Sequence, residues 1–318
     1  MTSPATTEAE FAARAERHRR ELHVHCYRML GNFEEAEDLV QETLLRAWRG
    51  RDRLERDEWF RAWLYKIATN ACLDAIKRDG RRVPSLGSFR DVPWLQPYPD
   101  RLLEEIAPPE EEPGAALVAR ETIELTFLAV IQLLPPRQRA VLILRDVLDW
   151  PAKETAELLE IGVAAVNSAL QRALATLQQH LPAGRREDWT APEVSEAEQA
   201  LLEAFIDTHE RGDEAAALEL LAEDIRVTMP PFPMLFEGRE AIRGLMRQAY
   251  GPEGMGEWKL VPVRANRQPA AASYLRRPGE TAWTGFKVDV LRIEGGRIAE
   301  VTTFDHRLFE AFGLPLEM

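Results

Sequence analysis

Two stretches of this sequence are too rich in proline for regular structure to run through them, and they cut the chain into three parts. Residues 83–114 include VPWLQPYPD and IAPPEEEPG, and Pro182–Glu193 reads PAGRREDWTAPE. Proline fixes φ and removes a backbone donor, so neither a continuous helix nor a core strand crosses such segments. The apolar spacing differs on either side of the second break. Up to Leu181 it is helical, with Ile123, Phe127, Val130 and Leu134 as one stripe. From Ser195 two helical segments appear, with Ser195 and Glu198 as a capping box and a break at Gly212. Strand patterns then follow in IRVTM, WKLVPVRAN, AAASYLRR, AWTGFKVDVLRIEGG and RIAEVTTFDH, and Glu294-Gly295-Gly296-Arg297 reads as a hairpin turn. Two all-α parts followed by an α+β part are expected.

Charge narrows the partners. The chain carries −13 in 318 residues; residues 1–194 contribute −6 and residues 195–318 contribute −7. Any contact with nucleic acid must therefore be local, whereas an acidic bulk suits a large basic protein partner. No apolar run reaches the length of a membrane span, and the N-terminal stretch lacks the apolar core of a signal peptide, so a cytoplasmic protein is expected. Cys26 and Cys72 are the only cysteines, too few for a disulfide framework or a cysteine zinc cluster. His23, His25 and Cys26 have metal-ligand chemistry without an evident third ligand, so no metal or other cofactor is expected.

The local exception to the acidic balance is Phe60–Arg82. There Arg61, Lys66, Lys77, Arg78, Arg81 and Arg82 face only Asp74 and Asp79, a balance of +4. Trp63, Ile67, Ala71 and Ile76 follow helical spacing as its buried side, and Asn70, Asp74 and Lys77 share a neighbouring face. Aromatic rings beside cations suit unstacked bases and their phosphates. A second signal is Pro136–Gln178, laid out as a helix-turn-helix with its connection at Glu160-Ile161-Gly162. Val166, Leu170, Ala173 and Leu177 form the core face of its last helix, opposite Ala164, Asn167, Ser168, Gln171 and Arg172. Small and amide side chains let a helix enter the major groove, and Lys153 and Thr155 near the preceding helix start are placed to hold phosphate. Glu34–Trp48 is a third helix, with Asp38, Gln41 and Glu42 on its outer, acidic side.

EDLVQETLLRAW followed by FRAWLYKIATNACLDAIKRDGRR resembles regions 2.2 to 2.4 of RNA polymerase sigma factors of the extracytoplasmic-function group, and LPPRQRAVLILRDVLDWPAKETAELLEIGVAAVNSALQRALATL resembles their region 4. The resemblance implies a region 2 helical domain at 8–84, a linker at 85–119, a region 4 helix-turn-helix domain at 120–182 and a second linker at 183–194. It implies that Asp38, Gln41 and Glu42 dock the β′ clamp helices of core polymerase, with region 4 on the β flap. Arg61, Lys66, Asn70, Lys77, Arg78 and Arg81 would serve the −10 element, and the loop Arg51 to Trp59 an extruded base. Lys153, Thr155, Asn167, Ser168, Gln171 and Arg172 would serve the −35 element. The chain departs from the family in lacking basic residues at Asn167 and Ala169 and a serine N-cap at Gly162, which implies a weaker −35 grip.

Residues 195–318 are similar to SnoaL-like, NTF2-like domains, an α+β cone of helices against a curved sheet, on the strength of the helical opening, FEGREAIRGLM, the Gly-Gly hairpin and TTFDHRLFEAFGLP. Such domains imply a built-in regulator and a small molecule as a further partner. Asp305 and His306 are adjacent, which on a strand sends them to opposite faces and argues against an enzymatic pair. Trp94 and Leu95 lie in a linker too irregular for a core of its own and need a partner surface, for which the cone is the candidate. Two rival readings are a one-component, ligand-sensing operator-binding regulator and a cyclase-like enzyme. The first leaves the acidic face and the base-capturing segment without a role, and the second leaves most of residues 18–182 without one.

Overall fold

A computed structural model of the chain describes residues 8–54, 56–81, 83, 85–104, 123–181, 194–250 and 254–318. They fall into two compact units, one from residues 1–84 and 102–191, the other from 85–101 and 192–318.

The first unit is helical. Helices α1 (Glu8–Glu16), α2 (Arg19–Leu30), α3 (Phe33–Gly50) and α4 (Phe60–Arg78) form its first bundle. Gly31 takes the left-handed conformation that closes α2, and the Asn32 side chain then accepts from Glu35 N at 2.9 Å to start α3. Leu22, Tyr27, Leu30, Val40, Leu64 and Ala68 are buried at its centre. The buried stripe of α4 differs from the expected one. Leu64, Tyr65, Ala68, Cys72 and Ala75 are buried, whereas Trp63 and Ile67 are only half-buried. A helix contacted by α2 and α3 and by two later helices, Pro136–Leu142 and Ala152–Leu159, buries a wider arc than one spacing rule selects.

After α5 (Arg101–Glu104), helices α6 (Leu125–Ile131), α7 (Pro136–Leu142), α8 (Ala152–Leu159) and α9 (Val163–His180) follow, with one π-turn at Ile143–Val147. Pro136 sits in the first turn of α7, where its missing donor costs nothing. Glu160 at φ 55° ends α8 and Gly162 caps α9, giving the expected helix-turn-helix.

The second unit holds α10 (Glu196–Glu210), α11 (Glu214–Glu219), α12 (Arg239–Tyr250) and one six-stranded sheet. Its strands are β1 (Leu221–Met229), β2 (Phe232–Glu237), β3 (Glu257–Ala265), β4 (Gln268–Arg276), β5 (Thr284–Glu294) and β6 (Arg297–Asp305), in the order β2-β1-β6-β5-β4-β3. Only the β1–β6 pair is parallel. The Ser195–Glu198 capping box forms, and Gly295 and Gly296 at φ 57° and 73° make the expected hairpin turn. Strand β2 was not expected, because Pro230, Pro231 and Pro233 crowd it. It lies at the sheet edge, where a missing donor breaks no ladder. Bulges at Phe286 in β5 and Ala299 in β6 bend the sheet. Helices α10 and α12 close over its concave face through Phe205, Leu202, Ile242 and Met246 against Trp258, Leu291 and Val301.

Candidate nucleic-acid interface

Helix α3 presents Asp38 and Gln41 to solvent, and Glu42 beside them pairs with Arg46 at 2.6 Å. Leu39, Val40 and Thr43 hold the other side of the helix in the core. The three residues grouped from the sequence thus share one exposed, acidic face.

On α4 the expected DNA contacts divide into two kinds. Asn70, Lys77 and Arg78 are exposed, and Arg78 lies against Asp79 at 2.9 Å. Arg61 instead turns inward. Its guanidinium meets both oxygens of Glu21 at 2.6–3.1 Å, and Tyr65 Oη and His18 Nδ1 reach the same carboxylate at 3.1 and 2.6 Å. Burial pushes the Glu21 carboxyl up, but the hydrogen bonds from His18 and Arg61 outweigh it and hold it below the usual range. Arg61 therefore braces the root of α4. Arg81 is also drawn in, pairing with Glu35 and, at 3.5 Å, Asp79. Lys66 meets Glu160 at 2.8 Å, and Tyr65 packs against Trp150 with ring centroids 5.1 Å apart. The −10 candidate helix and the helix-turn-helix are thus in direct contact within one unit. The loop before α4 carries an exposed indole, Trp59, with Arg56 over its ring at 5.0 Å.

On α9, Asn167, Gln171 and Arg172 are exposed, with Arg172 donating to Ser168 Oγ at 3.1 Å. Lys153 is exposed at the start of α8. Thr155 departs from expectation: it is fully buried and its hydroxyl is bonded to Pro151 O at 3.1 Å, so it packs the turn and is closed to phosphate. Ala169 is buried too, so its lack of charge is a packing requirement and costs no phosphate contact.

Sequence reasoning missed Arg139. It is buried and donates to the carbonyls of Met29, Ile131, Gln132 and Leu134 and to the Gln132 side chain, at 2.5–3.3 Å. Met29 belongs to α2 and the other acceptors to α6 and the turn after it, so one guanidinium ties the two halves of the unit. Burial pulls its pKa down to about 9. An arginine three residues into a helix resembles a solvated one in sequence, and only the carbonyls folded around it reveal its role. His23 and His25 are likewise buried, and His25 Nε2 lies 2.9 Å from Thr69 Oγ1. Among the described residues no group of three or more His, Cys, Asp and Glu side chains could hold a metal ion.

The linker is placed by the second unit. Leu95 and Tyr98 are buried and Trp94 half-buried. Tyr98 N donates to Asn266 Oδ1 at 2.8 Å, and Asn266 N donates to Tyr98 O at 2.9 Å. Asp100 N donates to Arg264 O at 3.1 Å, and Asp100 Oδ1 accepts from Arg267 N at 2.9 Å. Asn266 and Arg267 both have positive φ, 56° and 60°, forming the β3–β4 hairpin turn that receives the linker. Asp305 caps the turn after β6 and pairs with Arg307, so it makes no shared site with His306.

A helix with an acidic open face, a helix with an amide and cations on its open face, and a helix-turn-helix are the features of a transcription protein. Family models agree: Sigma-70 region 2 matches residues 15–82, Sigma-70 region 4 matches 124–177, and the SnoaL-like domain matches 202–301. The chain is 39% identical over 323 residues to the ECF RNA polymerase sigma factor SigG of Mycobacterium tuberculosis, covering 96% of this chain and 84% of SigG. It is 28% identical over 294 residues to SigJ of the same organism, covering 89% and 84%. In fold it is similar to the crystal structure of the M. tuberculosis extracytoplasmic function sigma factor SigJ, with a TM-score of 0.60 at 21% identity over 96% of this chain and 99% of that one. The chain belongs to the extracytoplasmic-function RNA polymerase sigma factors. No helix among the described residues is long and apolar enough to cross a membrane.

Proposed function

We propose that the chain joins core RNA polymerase in the cytoplasm through Asp38, Gln41 and Glu42 on the β′ clamp helices and region 4 on the β flap. Asn70, Lys66, Lys77 and Arg78 then serve the −10 element, with Trp59 offering a ring to an extruded base. Lys153, Asn167, Ser168, Gln171 and Arg172 serve the −35 element. The observation that carries the reading is the exposed acidic face of α3 beside a helix whose open side holds an amide and cations, in a chain 39% identical to a sigma factor over nearly its whole length. Run-off transcription with purified core polymerase tests it. Specific transcripts with polymerase and weak binding to duplex promoter DNA without it are expected. Tight operator binding by the chain alone would favour the one-component regulator.

Opening of the first unit is part of this function. Elements named −10 and −35 are separated by about 25 base pairs, roughly 85 Å at 3.4 Å each. A body of the first unit's length has a radius of gyration of about 16 Å. Two readers packed together through Lys66–Glu160 and Tyr65–Trp150 cannot reach both elements, so polymerase binding must separate them. The SnoaL-like domain acts on that step as a non-enzymatic regulator by holding the linker at Asn266, and a small molecule in its cone is the partner that would adjust it.

A further inference from the structure

The concave side of the second unit's sheet encloses a cavity of about 520 Å³, its open mouth included, between α10, α12 and the sheet. Most of its wall is apolar, with Val227, Met229, Leu245, Met246 and Val301 among the lining residues. Five polar groups interrupt that wall: His209, Tyr250, Lys287, Asp289 and Thr303.

Asp289 is fully buried. Its Oδ1 accepts from Thr303 Oγ1 at 2.6 Å. Its Oδ2 is ion-paired with Lys287 Nζ at 2.7 Å, outside regular hydrogen-bond alignment, so it keeps lone-pair capacity for a further donor. His209 adds a second acceptor. Its Nδ1 lies 2.7 Å from Phe205 O, and since a carbonyl only accepts, the proton sits on Nδ1 and Nε2 keeps a bare lone pair. Burial holds the ring neutral, with a pKa of about 4. The Lys287 ammonium and the Tyr250 hydroxyl supply the donors.

This pattern selects a ligand class. The Lys287 and Asp289 charges offset one another, so a charged guest meets a like charge at close range and loses its water for nothing. A ketone or ether accepts from Lys287 or Tyr250 and gives nothing to Asp289 Oδ2 or His209 Nε2. A hydroxyl group donates to Asp289 and accepts from Lys287 or Tyr250 at once. We propose that the cone of this sigma factor binds an uncharged, largely apolar molecule through a hydroxyl group, an apolar alcohol or phenol, that donates to Asp289 and accepts from Lys287 or Tyr250. This deepens the regulatory reading of the third domain given above.

The test uses the full chain with ¹³C-methyl-methionine, which places reporters at Met229 and Met246 on the cavity wall, and reads binding without polymerase. The probes are 2-naphthol, 2-methoxynaphthalene and 2-naphthoate at pH 7. Expected results are saturable shifts at both methyls with 2-naphthol and binding at least tenfold tighter than either other probe. Asp289→Asn should cut the preference for the naphthol over its methyl ether at least fivefold. Leu245→Trp, which fills the cavity from α12, should abolish the shifts in a chain whose circular dichroism is unchanged. Equal binding of naphthol and methyl ether, shifts confined to other methionines, or no saturable binding of 2-naphthol overturns the proposal. Run-off transcription is measured separately, so a chain that binds 2-naphthol yet starts no transcripts defeats the sigma reading and leaves this one standing.

Discussion

Arg61 and Asn70 share helix α4 and a sequence expectation, yet the fold gives them opposite circumstances. Arg61 is bound to the buried carboxylate of Glu21, and Asn70 is open to solvent. Removing one partner of a buried ion pair costs about 3–5 kcal/mol, and the partly hydrated outer edge of Arg61 puts it near about 3. Arg61→Ala should lower unfolding free energy by that amount in urea titrations, while Asn70→Ala should change it by less than about 0.5 kcal/mol and still impair promoter opening. Equal stability of the two variants would show that Glu21 does not depend on Arg61. Acid sensitivity arises at the same scale. Burial holds His23 and His25 at pKa values of about 3, and the unfolded chain titrates near 6.5. Folded pKa values below unfolded ones mean that this stability is present above about pH 6.5 and lost as pH falls toward 3, by about 1.4 kcal/mol per pH unit for each ring. Glu21, also depressed, adds loss of the same sign at lower pH. Urea midpoints measured between pH 7.5 and 4.5 should fall steadily, and less steeply in His25→Gln. A midpoint flat across that range would contradict the buried neutral rings.

At the scale of elements, helix order, the capping box and the Gly-Gly hairpin were legible because each rests on local chemistry. Strand β2 was not, since its prolines read as a loop until its edge position is known. Thr155 and Ala169 failed for a related reason: a polar residue near a helix start, or a small one within a helix, reads as exposed, and only the neighbouring helices decide otherwise. The linker lies between these cases. Its apolar residues signalled a need for cover, but the hairpin turn that receives Tyr98 could not be read from the linker itself. If the C-terminal domain acts through this contact, Trp94→Ala and truncation after Leu181 should shift run-off transcription in the same direction and combine without adding. Asn266→Gly, which keeps the positive-φ turn and removes the side-chain acceptor, should act in the same sense. Additive effects, or a truncated chain indistinguishable from the full one, would remove the coupling.

For the molecule as a whole, the consequential fact is that both candidate DNA readers lie in one compact unit. A chain carrying Lys66→Cys and Glu160→Cys, joined by a short reducible thiol cross-linker, should fail in run-off transcription and recover on reduction. Full activity while cross-linked would show that separation is unnecessary. The catch itself is made of unusual material. Lys66–Glu160 is an exposed pair, open to screening by salt. Beside it are the contact of Tyr65 with Trp150 and the grip of Arg139 on backbone carbonyls, both buried away from dissolved ions. Promoter binding by any such factor does weaken steeply as ions accumulate. If the proposed promoter contacts are made, rising salt should weaken this factor's hold on DNA well before it loosens the Tyr65–Trp150 and Arg139 contacts, and salt titrations of promoter binding and of the cross-linking yield between positions 66 and 160 would read the two separately.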